Sequence, residues 1–259
     1  QSMMQTPFYH YNLNILEQTL CAIEEHSSQL ENVHIHYAIK ANANPLILKP
    51  ILNHNFGIDC VSGGEIQAAV DAGFAPSSIV FAGVGKADWE IDLALELGIA
   101  CFNVESEAEL DVIQERAALK NKVANIAFRV KPNVDAHTHA NITTGLAENK
   151  FGIEIPMLEP IIRKAIALTN IAFKGIHFHI GSQITEMEPF EALCHKVNEV
   201  QDLLESKGIE LESINVGGGL GVDYYNPETN YIPDFKSYFD VFRKNLKMRA
   251  GQQLHFELG

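Results

Sequence analysis

The stretch FKGIHFHIGSQITEMEPFEALCHKVNEVQDLLESKGIELESINVGGGLG, residues 173–221, decides the fold. It opens on an apolar run, Phe173–Ile180, that suits a buried strand. Phe190, Leu193, Val197, Val200 and Leu204 then recur at steps of three and four, which predicts a helix. Gly208 stops that helix. A second short strand, Ser213–Val216, follows and runs into a cluster of glycines. Strand, helix and strand in immediate succession form a βαβ unit, which implies two parallel strands in one sheet.

The same alternation extends in both directions. Upstream, strands are predicted at Val33–Lys40, Gly57–Val61, Ile79–Ala82, Ala100–Val104 and Asn125–Val130; downstream, one is predicted at Leu254–Leu258. A first helix starts near Asn12 or Asn14, with Leu13, Leu16, Leu20 and Ile23 on one face. Further helices open at Pro45, at Gly63 and after Ser106, where Ser106 and Glu109 fit a capping box. The last carries Phe235, Tyr238, Phe239, Phe242 and Leu246. Pro132 to Ile155 reads as one long loop, of the kind that is often functional. Eight strands with helices between them predict an α/β fold, a closed (β/α)8 TIM-type barrel, as a single domain over residues 1–259.

Composition agrees and excludes several classes. The chain has 259 residues, 46% of them hydrophobic, close to the roughly 250 of one such barrel. Its formal charge of −14 argues against nucleic-acid binding. No apolar run reaches membrane-helix length, and the N-terminus lacks the pattern of a signal peptide. Cys21, Cys60, Cys101 and Cys194 are widely spaced, with no CxxC pair, as expected of reduced thiols in a cytoplasmic protein.

Barrels of this type carry their active sites at the C-terminal ends of the strands. Polar residues gather there: Lys40 at the end of strand 1, Asp59 and Glu65 at strand 2, Glu105 after strand 4, Arg129 in strand 5, His177, His179 and Ser182 at strand 6, and Glu257 in strand 8. Unpaired, such groups are costly. Lys40 could snorkel to solvent or pair with a carboxylate; alternatively, burial would lower its pKa and make it a Schiff-base nucleophile. Gly217, Gly218, Gly219 and Gly221 could serve a tight turn, but four glycines in five positions favour a phosphate cradle of backbone N–H groups. Glu257 could be an ordinary carboxylate or the partner of a protonated pyridine nitrogen. His179 could be a core histidine or stack on a flat ring. His137 and His139 lack an evident third or fourth ligand, so no metal is expected.

Together these motifs are identified with a known family. Tyr37-Ala38-Ile39-Lys40-Ala41-Asn42 resembles the cofactor-lysine motif of the fold-type III, alanine-racemase-like decarboxylases that depend on pyridoxal 5′-phosphate. Asp59-Cys60-Val61-Ser62-Gly63-Gly64-Glu65, His177-Phe178-His179-Ile180-Gly181-Ser182-Gln183 and Val216-Gly217-Gly218-Gly219-Leu220-Gly221 follow in the family's order. The resemblance implies that Lys40 carries the cofactor and that His179 stacks on its ring, Lys40 and His179 being the catalytic pair. Ser182 and Gly217–Gly219 would bind the phosphate, and Glu257 would pair with the ring nitrogen. Asp59, Glu65 and Arg129 would shape the surroundings, and Gly259 would close the cofactor set. Asn133-Val134-Asp135-Ala136-His137, Thr143-Thr144-Gly145 and Lys150-Phe151-Gly152-Ile153 look like the branch that converts meso-2,6-diaminopimelate to L-lysine and CO2 in lysine biosynthesis. Related ornithine, arginine or carboxynorspermidine decarboxylases, or a non-catalytic cofactor-binding homologue, are the alternatives.

Two departures bear on activity. The family's Glu-Pro-Gly-Arg reads here as Glu257-Leu258-Gly259, with leucine in place of proline. The family also carries a C-terminal β-rich domain and works as a homodimer with shared sites. That domain is absent from this sequence, so the chain is expected to be truncated relative to the family, and inactive alone.

Overall fold

The computed structural model describes residues 11–134, 151–223, 225–226 and 228–259. Its strands are β1 (Val33–Ala38), β2 (Gly57–Cys60), β3 (Ile79–Phe81), β4 (Cys101–Val104), β5 (Ala124–Arg129), β6 (Ile171–His177), β7 (Ser213–Asn215) and β8 (Gln253–Leu258). They form a closed, all-parallel barrel in sequence order, with β8 returning to β1. The helices among the described residues are α1 (Leu13–Ser27), α2 (Pro45–Asn53), α3 (Gly63–Asp71), α4 (Asp88–Leu97), α5 (Glu107–Leu119), α6 (Ile155–Ala167), α7 (Glu188–Ser206) and α8 (Phe235–Asn245). The predicted (β/α)8 barrel is the observed fold.

Several boundaries moved for local reasons. Asn12 caps α1, its Oδ1 accepting from the N–H groups of Asn14 and Ile15. Strand β1 stops at Ala38, and Ile39–Ala41 form a 3-10 turn. Lys40 therefore sits on a turn, not on a strand. Strand β6 ends at His177, three residues earlier than expected, and it begins at Ile171. Helix α6 occupies the chain from Ile155, and Ile153 bridges back to Val130. Most of the expected long loop, with His137 and His139, lies outside the described residues.

Strand alternation sorts the barrel into two faces. Outward residues such as Ile58, Phe102, Phe128, Ile176, Ile214 and Phe256 are buried under the helices. Phe256 meets Tyr238, Phe239 and Phe242 of α8 edge-on, at ring separations of 5.7, 5.1 and 5.0 Å. The inward face is polar. His36, Asp59, Asn103, His177, Asn215 and Glu257 are all buried, where barrels of this class usually stack branched aliphatics. Polar groups are thus spread along the lumen as well as at its mouth, and each needs a partner to be tolerated.

Candidate active site

The mouth is built from the strand ends. Tyr37 donates its hydroxyl to the Asn42 carbonyl at 2.9 Å and so braces the turn that carries Lys40. Gly259, at the end of β8, packs beside that turn: a Cβ there would touch Ala38 and Ala41 at 3.4 and 4.0 Å. Lys40 is exposed, so the burial that the sequence suggested for it is not observed. Its charge acts on Asp59.

Asp59 is 7% exposed and its Oδ1 has no hydrogen-bond partner. Burial, and then the Glu257 carboxylate, push the Asp59 carboxyl well above its usual range; Lys40 pulls the other way. Glu257 behaves oppositely. Burial works against its charge, but His177, by charge and hydrogen bond, and then His179 and His36 outweigh burial and hold it well below the ordinary carboxylate range. Two neighbouring buried carboxyls thus have their proton affinities pushed apart, a pattern typical of functional sites.

Glu257 is tied from three strands. Its Oε1 accepts from Asn215 Nδ2 at 2.8 Å and from Asn103 Nδ2 at 3.3 Å; its Oε2 faces His177 Nε2 at 3.2 Å. Asn103 lies on β4 and reaches Glu257 of β8 across the lumen. Sequence reasoning listed His177 without a role and missed Asn103 and Asn215.

The glycine run is dictated first by packing. Gly217 has φ +69°, and a Cβ on it would lie 2.3 Å from the Phe178 carbonyl oxygen and 3.1 Å from His179 Nδ1. A Cβ on Gly218 would lie 1.8 Å from the Glu257 carbonyl oxygen. Both positions need glycine to bring the ends of β6, β7 and β8 together. The Gly217 N–H already donates to Asn215 Oδ1 at 2.8 Å. The N–H groups of Gly218 and Gly219 meet no acceptor among the described residues. His179 and Ser182 are half-buried beside this run.

Other expected residues are engaged elsewhere. Glu65 accepts from the Val61 N–H at 3.0 Å, while its own N–H donates to Ser62 Oγ at 3.1 Å, so Ser62 caps α3 and the Glu65 side chain holds the residue before that cap. Arg129 pairs with Glu105 at 3.0 Å, both nearly buried, and Glu105 Oε2 is left without a partner. Lys86, which the sequence did not single out, has a side chain 1% exposed that donates to Gly83 O, Asn103 O and Glu109.

A pyridoxal phosphate fits the residues at this end. Orphaned acceptors on Asp59 and Glu105, an accessible lysine, a held carboxylate and unspent backbone N–H groups offer partners for an amine-reactive, phosphate-bearing ring. A cavity of about 930 Å3 opens at the opposite end of the barrel and is lined by His34, His36, His255 and Cys101 among others. It shares neither Lys40 nor Glu257, so size alone does not locate the chemistry. One group among the described residues, Glu17, Cys21 and His54, brings ligand atoms within reach of a metal. There His54 is already clamped between Glu24 at 2.7 Å and Glu17 at 2.6 Å, on the outer surface.

Residues 16–258 match the family model described as pyridoxal-dependent decarboxylase, pyridoxal binding domain. The chain is 59% identical over 256 residues to a diaminopimelate decarboxylase of Bacteroides thetaiotaomicron, covering 99% of this chain and 66% of that relative. Among solved structures, diaminopimelate decarboxylase from Helicobacter pylori complexed with L-lysine superposes with a TM-score of 0.90 at 38% identity, covering 99% of this chain and 64% of that one. A lysine/ornithine decarboxylase from Vibrio vulnificus, at 22% identity and a TM-score of 0.77, shares the fold. The chain therefore spans about two thirds or less of the length of these proteins.

Proposed function

We propose that this chain, which belongs to the pyridoxal-dependent decarboxylase family through its pyridoxal-binding domain, is the cofactor-binding barrel of a diaminopimelate decarboxylase. The reaction is conversion of meso-2,6-diaminopimelate to L-lysine and CO2. The observation that carries the reading is the meeting of Lys40, Asp59 and Glu257 at one barrel mouth. The relatives' shared activity favours this substrate over ornithine or arginine. When bound, the cofactor supplies an electron sink for the charge left by departing CO2.

The chain's own residues would prepare that site. Lys40 would hold the cofactor covalently from its exposed turn. His179 would stack on the cofactor ring. Ser182 and the N–H groups of Gly218 and Gly219 bind the phosphate; Gly217 contributes shape, since its N–H is spent. Glu257 would pair with the ring nitrogen and keep it protonated. Asp59 orients the Lys40 ammonium. Arg129 and Gly259 line the mouth, and Glu65 acts through the α3 cap. The whole protein works as a homodimer in the cytoplasm.

Borohydride trapping tests this. Protein incubated with pyridoxal phosphate, reduced and digested should yield one phosphopyridoxyl peptide, centred on Lys40, and Lys40→Ala should abolish it without loss of fold. Adducts scattered over surface lysines would overturn the site. The whole protein carrying this chain should then release CO2 from meso-diaminopimelate; release from ornithine or arginine instead would overturn the substrate.

A further inference from the structure

Resting on the cofactor-binding reading above, a second question concerns what makes Glu257 fit for its role. A carboxylate presents about four lone-pair positions. Three are filled by hydrogen bonds from Asn103, Asn215 and His177, all of them buried. One position on Oε2 remains, and the neighbouring Asp59 carboxyl also comes within hydrogen-bonding reach of Glu257.

The donors cannot exchange roles. Asn215 Oδ1 accepts from the Gly217 N–H at 2.8 Å, which turns its NH2 towards Glu257. Asn103 Nδ2 is directed at the same oxygen. An amide does not titrate, so neither can remove or deliver a proton. His177 Nε2 must carry hydrogen to face an ionised oxygen. A proton on Oε1 would collide with two N–H groups, so the cage disfavours the neutral acid.

We propose that Asn103, Asn215 and His177 are positioning residues that keep Glu257 ionised and leave it a single acceptor position for a protonated ring nitrogen. The cage spans β4, β6, β7 and β8, and Asn215 also fixes the start of the glycine run. One amide therefore sets the register between the ring-nitrogen partner and the phosphate loop.

The test uses the whole protein loaded with pyridoxal phosphate isotope-labelled at the ring nitrogen, whose chemical shift reports protonation against pH. In the unaltered protein the ring nitrogen should stay protonated through neutral pH. Asn103→Leu and Asn215→Leu should each lower its proton affinity by about tenfold or more, the scale of one hydrogen bond to a charged group. They should lower kcat with little change in KM, because the charge they support develops after substrate binds. Unchanged ring titration in both variants, with protonation lost in Glu257→Gln, would overturn the positioning role and leave the site reading intact. Retained protonation in Glu257→Gln would overturn both. Should Asn215→Leu fail to fold because the Gly217 N–H loses its acceptor, Asn103→Leu, whose side chain bonds only Glu257 among the described residues, carries the test alone.

Discussion

Asp59 combines deep burial, an orphaned oxygen and a like-charged neighbour, so its charge is a burden on the fold. A carboxyl raised in the folded state binds its proton more tightly there than in the unfolded chain. Stability is then lost as pH rises above the ordinary carboxylate range. Asp59→Asn keeps the shape and removes the charge. The cofactor-free variant should gain roughly 1–2 kcal/mol at neutral pH in urea unfolding, while binding pyridoxal phosphate more weakly. A variant no more stable than the parent would show that Lys40 already compensates the charge. Lys40, Asp59 and Glu257 were legible because they stand at strand ends in recognisable motifs. Asn103 and Asn215 were not. In a barrel both faces of each strand are covered, so alternation reveals two faces without saying which is the lumen. The role of Glu65 was legible in the spacing of Ser62 and Glu65, but its place in a family motif drew attention to the cofactor instead.

Helices α7 and α8 close over β8 through Phe190, Tyr238, Phe239, Phe242 and Phe256. Tyr238 is fully buried within them, yet its hydroxyl has no hydrogen-bond partner among the described residues. Burial raises its pKa far above the ordinary tyrosine range, so the group is neutral and unsatisfied. Tyr238→Phe removes the oxygen and keeps the ring packing. It should stabilise the protein by about 1 kcal/mol or more, read as a higher urea midpoint at unchanged slope. A lower midpoint would mean the hydroxyl is hydrogen-bonded in solution. These two helices were plain from their spacing, being amphipathic and rich in aromatics. Helices α4 and α6 escaped. Ala87 offers no side-chain cap to α4, whose Ala87 N–H is met instead by Glu90 at 2.9 Å. Helix α6 lacks a capping side chain at Glu154 and contains Pro160, so the sequence pointed to no helix there. In both, packing against the barrel supplies what local signals lack.

At the scale of the whole molecule, barrel closure brings together residues that the sequence keeps far apart. Counting strand–helix units predicts eight strands, and eight parallel strands predict closure. The consequence for side chains is harder to foresee. Joining β1 to β8 sets His36 Nε2 2.9 Å from His255 Nδ1, across 219 positions of sequence, and His34 stacks on His255. Burial lowers the pKa of all three: His36 to about 4 with His34 adding to the effect, and His255 to about 3 with His36 and His34 adding. Glu257 opposes this at both His36 and His255 but does not reverse it. They are therefore neutral in the folded barrel, while the unfolded chain protonates its histidines near 6.5. Their stabilising contribution is complete above that value. It is lost as pH falls towards about 4 for His36 and about 3 for His255. Glu257, lowered in the fold, adds its own loss only in the carboxylate range and below, and Asp59 acts in the opposite sense. A decline that starts above the carboxylate range thus belongs to the histidines. Urea unfolding of the cofactor-free protein should show stability falling already between pH 6.5 and 5, and His255→Gln should flatten that limb while leaving the more acidic limb in place. A parent protein equally stable across that interval would mean the floor of the barrel opens enough to solvate its histidines.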